Sequence, residues 1–364
     1  MQMELLSTQD KRWREMLAGL RHDVYHLPEY CSLCAGHEGG VPAAVYATDD
    51  AGNKFLLPII IRPVPFGAIG QPLFDATSPF GYPGPLVKLT DSGEAWLKAL
   101  GSLLKDFLRN NKIISLFCRL HPILDVPRQS FELPGTVVQH GETVSLDLSV
   151  TDAEGFSQMS RCHRREINKA RDRGYLFVVD ETWRYLDEFT RIYAETMRRC
   201  DAEPFYYFSR DYFSHLRDIA GFGVQLCVLL IGDRVAAAAV VSEIHGIVQG
   251  HQSATANECV SHNPTVALYD FIGKWARQRG NRLFHLGSGV GGKRDSLFDF
   301  KAKFSRLRHP LCTWRLITDE TVYSKLVKQW ERRTGSFPDG EDGFFPAYRK
   351  PIRNCTSVRS ARGE

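Results

Sequence analysis

The sequence predicts an α/β chain with mixed sheets rather than alternating βαβ units, and three observations lead there. The second half runs helix, strand, helices, then three strands joined by tight turns at Gly232-Asp233 and His245-Gly246, then helix, strand, helix, strand. In the first half, "DSGEAWLKALGSLLKDFLRNN" (91–111) has a strong helical period and leads into an apolar strand, "KIISLFCRL" (112–120). The doubly wound nucleotide fold is disfavoured. "GSGVGG" (287–292) lacks GxGxxG spacing before a long helix, and reads better as a turn beside a site.

The elements follow in order. Residues 7–20 and 27–36 read as short helices. "PAAVYATD" and "FLLPIII" read as a hairpin about residues 49–53. Pro and Gly gather at 62–85, which predicts loops and edge strands, because Pro removes a ladder donor. Residues 153–174 read as one or two helices ending at Gly174, and "YLFVVD" as a strand. A helix over 182–199 opens at Thr182, and "SRDYFSHLRDIAG" is a helix closed by Gly221. The helix at 263–280 has Pro264 at its start and Gly280 past its end. "NRLFHLGS" and "CTWRLIT" are strands.

The 364 residues allow two domains, and boundaries are set at 1–145, 146–335 and a C-terminal tail, 336–364. The start of the chain lacks the apolar region of a signal peptide, and no apolar run reaches the length of a membrane span. Nine scattered cysteines fit reduced thiols, so a cytoplasmic protein is expected. A net charge of +4 gives no global pull toward nucleic acid. His22, His26, Cys31, Cys34 and His37 cluster, but without a second CxxC no metal is expected.

"LFDFKAKFSRL" (297–307) raises the functional question. As a strand it would turn Lys301 and Lys303 to water. As a helix it places Leu297, Phe300, Lys301, Phe304 and Leu307 on one stripe, with Lys303 outside.

Several segments resemble the Fem-type family, non-ribosomal peptidyl transferases built from two GNAT-like domains. "DVYHLPEY" (23–30) and "SPFGYPGPL" (78–86) are similar to first-domain segments, and "SRCHRREINKARDRGY" (160–175) to the basic helix that opens the second. "FTRIYAETMRR" (189–199) is similar to the aromatic-x-x-T-x-x-R helix, with Thr196 and Arg199 in place. "NPTVALYDFIGKWARQRGNRLFHLGS" resembles the helix-then-strand element. "LFDFKAKFS" resembles the (Y/F)xFKxxFG signature, with Phe300-Lys301 at its Phe-Lys pair and Ser305 where a glycine is usual. The chain lacks the long charged heptad arm of some members. The resemblance implies tandem GNAT-like acyltransferase domains, the first giving acceptor contacts and the second catalytic. It implies transfer of an aminoacyl group from aminoacyl-tRNA to an amine, on a peptidoglycan precursor or a biosynthetic intermediate.

Acyl transfer to an amine needs a positioned, neutral nucleophile, worth roughly 7–11 kcal/mol. It also needs oxyanion stabilisation, about 3–4 kcal/mol per good donor, and a proton for the leaving group. No protein nucleophile and no cofactor beyond the donor substrate are required. On the helical reading, Lys301 beside Phe300 suits the oxyanion, although such a lysine can also snorkel to water. Arg199 is a candidate anion anchor or a helix C-terminal cation. Tyr206 and Tyr207 are candidates for the acceptor pocket, or aromatics buried in a loop. Asp75 and Tyr82 are candidates to face the cleft between domains.

Arg161, Arg164, Arg165 and Lys169, with Arg171 and Arg173, form the one dense basic patch. It is either a solvated face or a contact for phosphates of RNA or CoA. The GNAT pyrophosphate motif (Q/R)xxGx(G/A) is absent before Pro264, where "TANECVSHNPT" stands, which disfavours CoA. An acyl-CoA-dependent enzyme and a non-catalytic RNA- or partner-binding protein are the alternatives. No DNA partner is expected, and the chain is expected to be a monomer.

Overall fold

The amphipathic segment at 91–111 folds as the helix Gly93–Asn110, and its period explains what it buries: Trp96, Leu97, Leu100, Leu104 and Leu108 all face inward. The structure is a computed structural model describing residues 1–65, 72–91, 93–124, 134–219, 223–337 and 343–351. The predicted stop at Gly221 and most of the tail expected over 336–364 lie outside the described residues.

In chain order the elements are β1 (Gln2–Leu6), α1 (Lys11–Ala18), α2 (Pro28–Glu38), β2 (Val41–Thr48), β3 (Lys54–Pro63), β4 (Phe74–Thr77), β5 (Leu86–Lys88), α3 (Gly93–Asn110) and β6 (Ile113–Arg119). Then come β7 (Thr136–Asp147), α4 (Asp152–Gln158), α5 (Arg161–Asp172), β8 (Leu176–Asp180), α6 (Leu186–Arg199), α7 (Arg210–Arg217), β9 (Gly223–Ile231), β10 (Arg234–Ile244) and β11 (Ile247–Thr255). The chain continues through α8 (Pro264–Gln278), β12 (Leu283–Gly287), α9 (Ser296–Ala302), β13 (Arg308–Ile317) and α10 (Glu320–Thr334).

The described strands form one mixed sheet, ordered β1-β2-β3-β4-β6-β13-β7-β12-β11-β10-β9-β8, with β5 beside β3. Pairing is antiparallel except at β4–β6 and β11–β12. The halves repeat one plan: a strand, two helices, three strands, a helix, and a strand parallel to the third of those three. β8 to β12 follow it, and β1 to β6 follow it with the short β5 added between β4 and α3. The fold is therefore α/β with two GNAT-like units in tandem.

The expected boundary at 145/146 falls inside β7. That strand pairs with β13 through residues 136–144 and with β12 through residues 144–147. β13, near the end of the second expected domain, lies between β6 and β7 and closes the first half's side of the sheet. One apolar core accordingly includes Trp13, Tyr25 and Tyr30 together with Phe189, Phe213, Phe284 and Phe304.

Two local expectations are corrected. α6 begins at Leu186 instead of Thr182, because Asp180 accepts hydrogen bonds from the Thr182 hydroxyl (3.0 Å) and the Tyr185 N–H (2.8 Å). These bonds tie the intervening residues into a turn. The N-terminal residues form β1 on the sheet edge, and "TVVQHGETVSLD" forms the central β7; neither was assigned to an element from the sequence.

Candidate active site

β11 and β12 run parallel through only three residue pairs, Ile247 with Leu283, Val248 with Phe284 and Gln249 with His285. Beyond the last pair β11 continues to Thr255 without β12 beside it. The strands thus part at Gln249 and His285, and residues of the first half fill the fork.

Asp23, fully buried, is the centre of that filling. Its Oδ1 accepts from the Val24 N–H, and its Oδ2 accepts from His121 Nε2 at 3.0 Å and Gln249 Nε2 at 2.6 Å. Burial raises its pKa. The bonds from His121 and Gln249 outweigh that effect and hold it at about 2. His121 Nδ1 accepts the N–H groups of Ile123 and Leu124, so its proton sits on Nε2, facing Asp23. Gln249 Oε1 then meets His285 Nδ1 at 2.7 Å.

α9 borders the same region. Asp295 caps it, accepting the Phe298 N–H at 2.9 Å, and its other oxygen takes the Val290 N–H at 2.8 Å. This joins the glycine-rich turn to the helix. Gly289 has to be glycine, because a Cβ there would sit 2.3 Å from Asp295 Oδ1 and 2.2 Å from the Lys293 carbonyl oxygen. At the far end His163 of α5 donates from Nε2 to the Phe300 carbonyl at 3.1 Å, and the Ser160 N–H donates to the Lys303 carbonyl at 2.8 Å. His163 also packs its ring on Phe304, 4.3 Å between centroids. The basic helix therefore positions the signature helix.

The helical reading of "LFDFKAKFSRL" holds, with one correction to its stripe. The cap at Asp295 phases the helix so that Phe298 is buried and Leu297 is 41% exposed. Phe304 is buried just past the helix end. Lys303 is exposed and Lys301 partly buried. Lys301 Nζ donates to the Ser288 carbonyl at 2.6 Å. Burial lowers its pKa to about 8, against the opposing pull of Asp295.

Tyr82 arrives from the loop after β4. Its hydroxyl lies 3.3 Å, and Lys301 Nζ 3.5 Å, from the point where Gly287 would carry a Cβ. Burial pushes the Tyr82 phenol up to about 12, so it remains a proton donor at neutral pH. Its ring meets His285 edge-on at 5.3 Å. Two donors, one ammonium and one phenol, thus converge beside Gly287, which fits the stabilisation of a developing oxyanion.

The other expected residues divide. Tyr206 stands close by: Phe80, from the Tyr82 loop, contacts its ring at 6.3 Å and that of Phe205 at 5.5 Å. Tyr207 is 40% exposed. Asp75 is fully buried and held by Arg62 at 2.9 Å, by the Tyr348 hydroxyl at 3.2 Å and by Arg349, so it clamps the segment after α10. Arg199 is tied to Asn257, to the Thr196 hydroxyl (3.1 Å) and to the Thr255 carbonyl (3.2 Å), which fastens α6 to the end of β11.

On α5, Lys169 pairs with Glu166 at 2.8 Å, and Arg171 with Asp270 at 3.2 Å. Arg161 and Arg165 are exposed, and Arg164 lines an open groove with Lys303 and Arg306. The early histidines and cysteines serve other ends. His37 Nε2 meets the Phe205 carbonyl at 2.8 Å, and burial holds the Cys31 and Cys34 thiols protonated. No metal-ligating group of three or more forms among the described residues, and no described helix is long and apolar enough to cross a membrane.

His121, Gln249 and His285 were missed in the sequence. The register of β11 and β12 brings Gln249 beside His285, and His121 joins them through Asp23; isolated polar residues in apolar strands are the one signal that Gln249 and His285 leave.

Comparisons with known proteins bear on the fold. Residues 157–301 match the model of the acetyltransferase (GNAT) domain. No curated protein matches the chain significantly. Among solved structures, FemX is similar at 13% identity with a TM-score of 0.66, over 89% of this chain and 99% of that one. The C-terminal domain of a putative lysylphosphatidylglycerol synthetase from Agrobacterium fabrum follows at 14% and 0.53, covering 86% and 92%. L-PGS from Bacillus licheniformis is similar at 15% and 0.53, covering 89% and 97%. The chain thus shares the fold of FemX, with two GNAT-like units in tandem, and residues 157–301 of its second half match a GNAT acetyltransferase domain.

Proposed function

We propose that this acyltransferase moves an aminoacyl group from aminoacyl-tRNA to an amine, forming an amide. The acceptor is a peptidoglycan precursor or a biosynthetic intermediate. The observation that carries the reading is the convergence of Lys301 Nζ and the Tyr82 hydroxyl on one point beside Gly287, at the fork of β11 and β12. An amine attacking the acyl carbon there would place the new oxyanion against two preorganised donors. The first half supplies Tyr82 and the second supplies Lys301, so the site is complete only when both halves are docked.

Two features favour a tRNA donor. Arg161 and Arg165 stand exposed on α5, the helix that braces α9, which suits contacts to backbone phosphates. The segment before α8 is a 3-10 turn, Asn257–His262, in place of a glycine-rich pyrophosphate loop. The match of residues 157–301 to an acetyltransferase domain supports the second reading, an acyl-CoA donor on the same scaffold.

The test offers labelled aminoacyl-tRNA pools and acyl-CoAs in parallel with a panel of amine acceptors. RNase-sensitive amide formation is expected. CoA release unaffected by RNase would replace this reading with the second. Absence of amide from either donor would leave a binding protein on an acyltransferase fold.

A further inference from the structure

His285 is 1% exposed, and its Nε2 has no hydrogen-bond partner among the described residues. Buried polar atoms are seldom left this way, since an unmade bond costs about 1–3 kcal/mol. The rest of the ring is fully determined. Asp23 is a carboxylate and can only accept, so the amide of Gln249 must turn its NH2 to Asp23 Oδ2. Gln249 Oε1 then faces His285 Nδ1 and can only accept, so Nδ1 carries the proton. Nε2 is left as a bare lone pair. The chain of bonds starts at His121, itself fixed by the Ile123 and Leu124 N–H groups, and every link in it allows one orientation.

The place of that lone pair matters as much as its state. His285 lies two residues before Gly287 on β12, and its ring meets Tyr82, whose hydroxyl flanks Gly287 together with Lys301. His309 approaches from β13 at 6.3 Å between centroids, and its own Nε2 is engaged with the Ser145 hydroxyl at 2.9 Å. The charged and titratable groups around His285 are therefore Asp23 and His121 beyond Gln249, His309 from β13, Lys301 from α9, and Tyr82 from the loop after β4. Burial is the main cause that holds the imidazole neutral, with the Lys301 ammonium adding to it.

We infer that His285 is the base of the transfer, taking through Nε2 the proton that the attacking amine must lose, while Gln249 and Asp23 hold the tautomer. The inference rests on the acyl-transfer reading above. In the step, the amine lone pair forms the C–N bond and the carbonyl electron pair moves onto oxygen, facing Lys301 and Tyr82. The nitrogen proton passes to His285 Nε2. On collapse, the bond from carbon to the carrier's oxygen or sulfur breaks. That atom then receives the proton, returning His285 to its neutral form. Gln249 and Asp23 are positioning residues, because they act only through the ring.

The test measures single-turnover amide formation by the full-length protein, with the donor found active in the screen above. His285→Gln is expected to slow the chemical step by about 10²–10⁴-fold with donor affinity unchanged. Gln249→Leu keeps the imidazole but frees its tautomer, and is expected to lose about tenfold in the same step with the same donor affinity. Nitrogen-15 ring shifts of the wild-type protein should show His285 protonated at Nδ1 and bare at Nε2, a readout independent of turnover. A wild-type protein that transfers normally while His285→Gln stays within about threefold of it overturns the inference alone. A proton found on Nε2 does the same, even if every His285 variant fails to fold. A wild-type protein that forms no amide overturns the acyl-transfer reading and this inference with it.

Discussion

The Lys301 ammonium and the Tyr82 hydroxyl approach the same side of Gly287, 3.5 and 3.3 Å from where a Cβ would stand. One comes from α9 in the second half and the other from the loop after β4 in the first. Any alanine at 287 would occupy the space the two donors face. Gly287 also has φ +78°, where a Cβ is disfavoured by about 1–2 kcal/mol. Gly287→Ala is expected to lower stability in urea by that amount and to cut turnover further than the stability loss explains.

Lys301→Met keeps the stem and removes the charge. It should lower kcat by about 10²–10³-fold, the usual cost of one oxyanion donor, with little change in melting temperature. Lys303→Met, at an exposed position, should leave kcat within about twofold. Near-normal rates for Lys301→Met, measured in single turnover, would remove the lysine from the mechanism.

The pH profile follows from the direction of the Lys301 shift. Burial brings its pKa down to about 8, so the ammonium is present below that value and lost above it. The rate at saturating substrate should fall as pH rises through about 8, and that limb should vanish in Lys301→Met. Tyr82, raised to about 12, should leave no limb in this range.

Asp23, held by His121 of its own half, joins the second half through its buried bond to Gln249. Asp23→Ala would leave three buried donors, the Val24 N–H, His121 and Gln249, without their acceptor, each costing about 1–3 kcal/mol, and denaturant unfolding should show a loss of roughly 3 kcal/mol or more. Its folded pKa, about 2, lies below the unfolded value, so its contribution is complete above the unfolded pKa. About 2–3 kcal/mol should be lost as pH falls from about 4 through about 2, and the Asp23→Ala protein should show a shallower acid transition.

Arg161 and Arg165 are exposed on α5. Replacing both with Ala should weaken tRNA binding and reduce the slope of log K against log salt by about 1 for each phosphate no longer neutralised. The melting temperature should not move. An unchanged slope would place the RNA elsewhere.

Local pattern carried much of this protein. The 3.6-residue period of Trp96, Leu97, Leu100, Leu104 and Leu108 specified α3, and the turns at Gly232-Asp233 and His245-Gly246 specified the meander of β9, β10 and β11. Lys301 and Lys303 separated as the helical reading required, because residues two apart lie on different faces of a helix, where a strand would have kept them together. The phase of α9 was less legible. It depends on Asp295 capping both the helix and the glycine turn, and so Phe298 is buried where Leu297 was expected.

Contacts between distant segments were decided only by tertiary structure. β7 and β13 take their neighbours from opposite halves, and no local period encodes which strand a strand will join. Asp75 pairs with Arg62 across β3 and β4, and Arg199 bonds to Thr255, partners that no local period announces. Asp23, His121, Gln249 and His285 are scattered along the sequence; the three-residue pairing of β11 with β12 sets Gln249 beside His285, and side-chain bonds bring Asp23 and His121 to them. Sequence determines which side chains carry chemistry and which faces are apolar, because those follow from spacing of a few residues. Which polar groups share a buried space is settled by long-range pairing, and here that pairing sets the tautomer of a single imidazole.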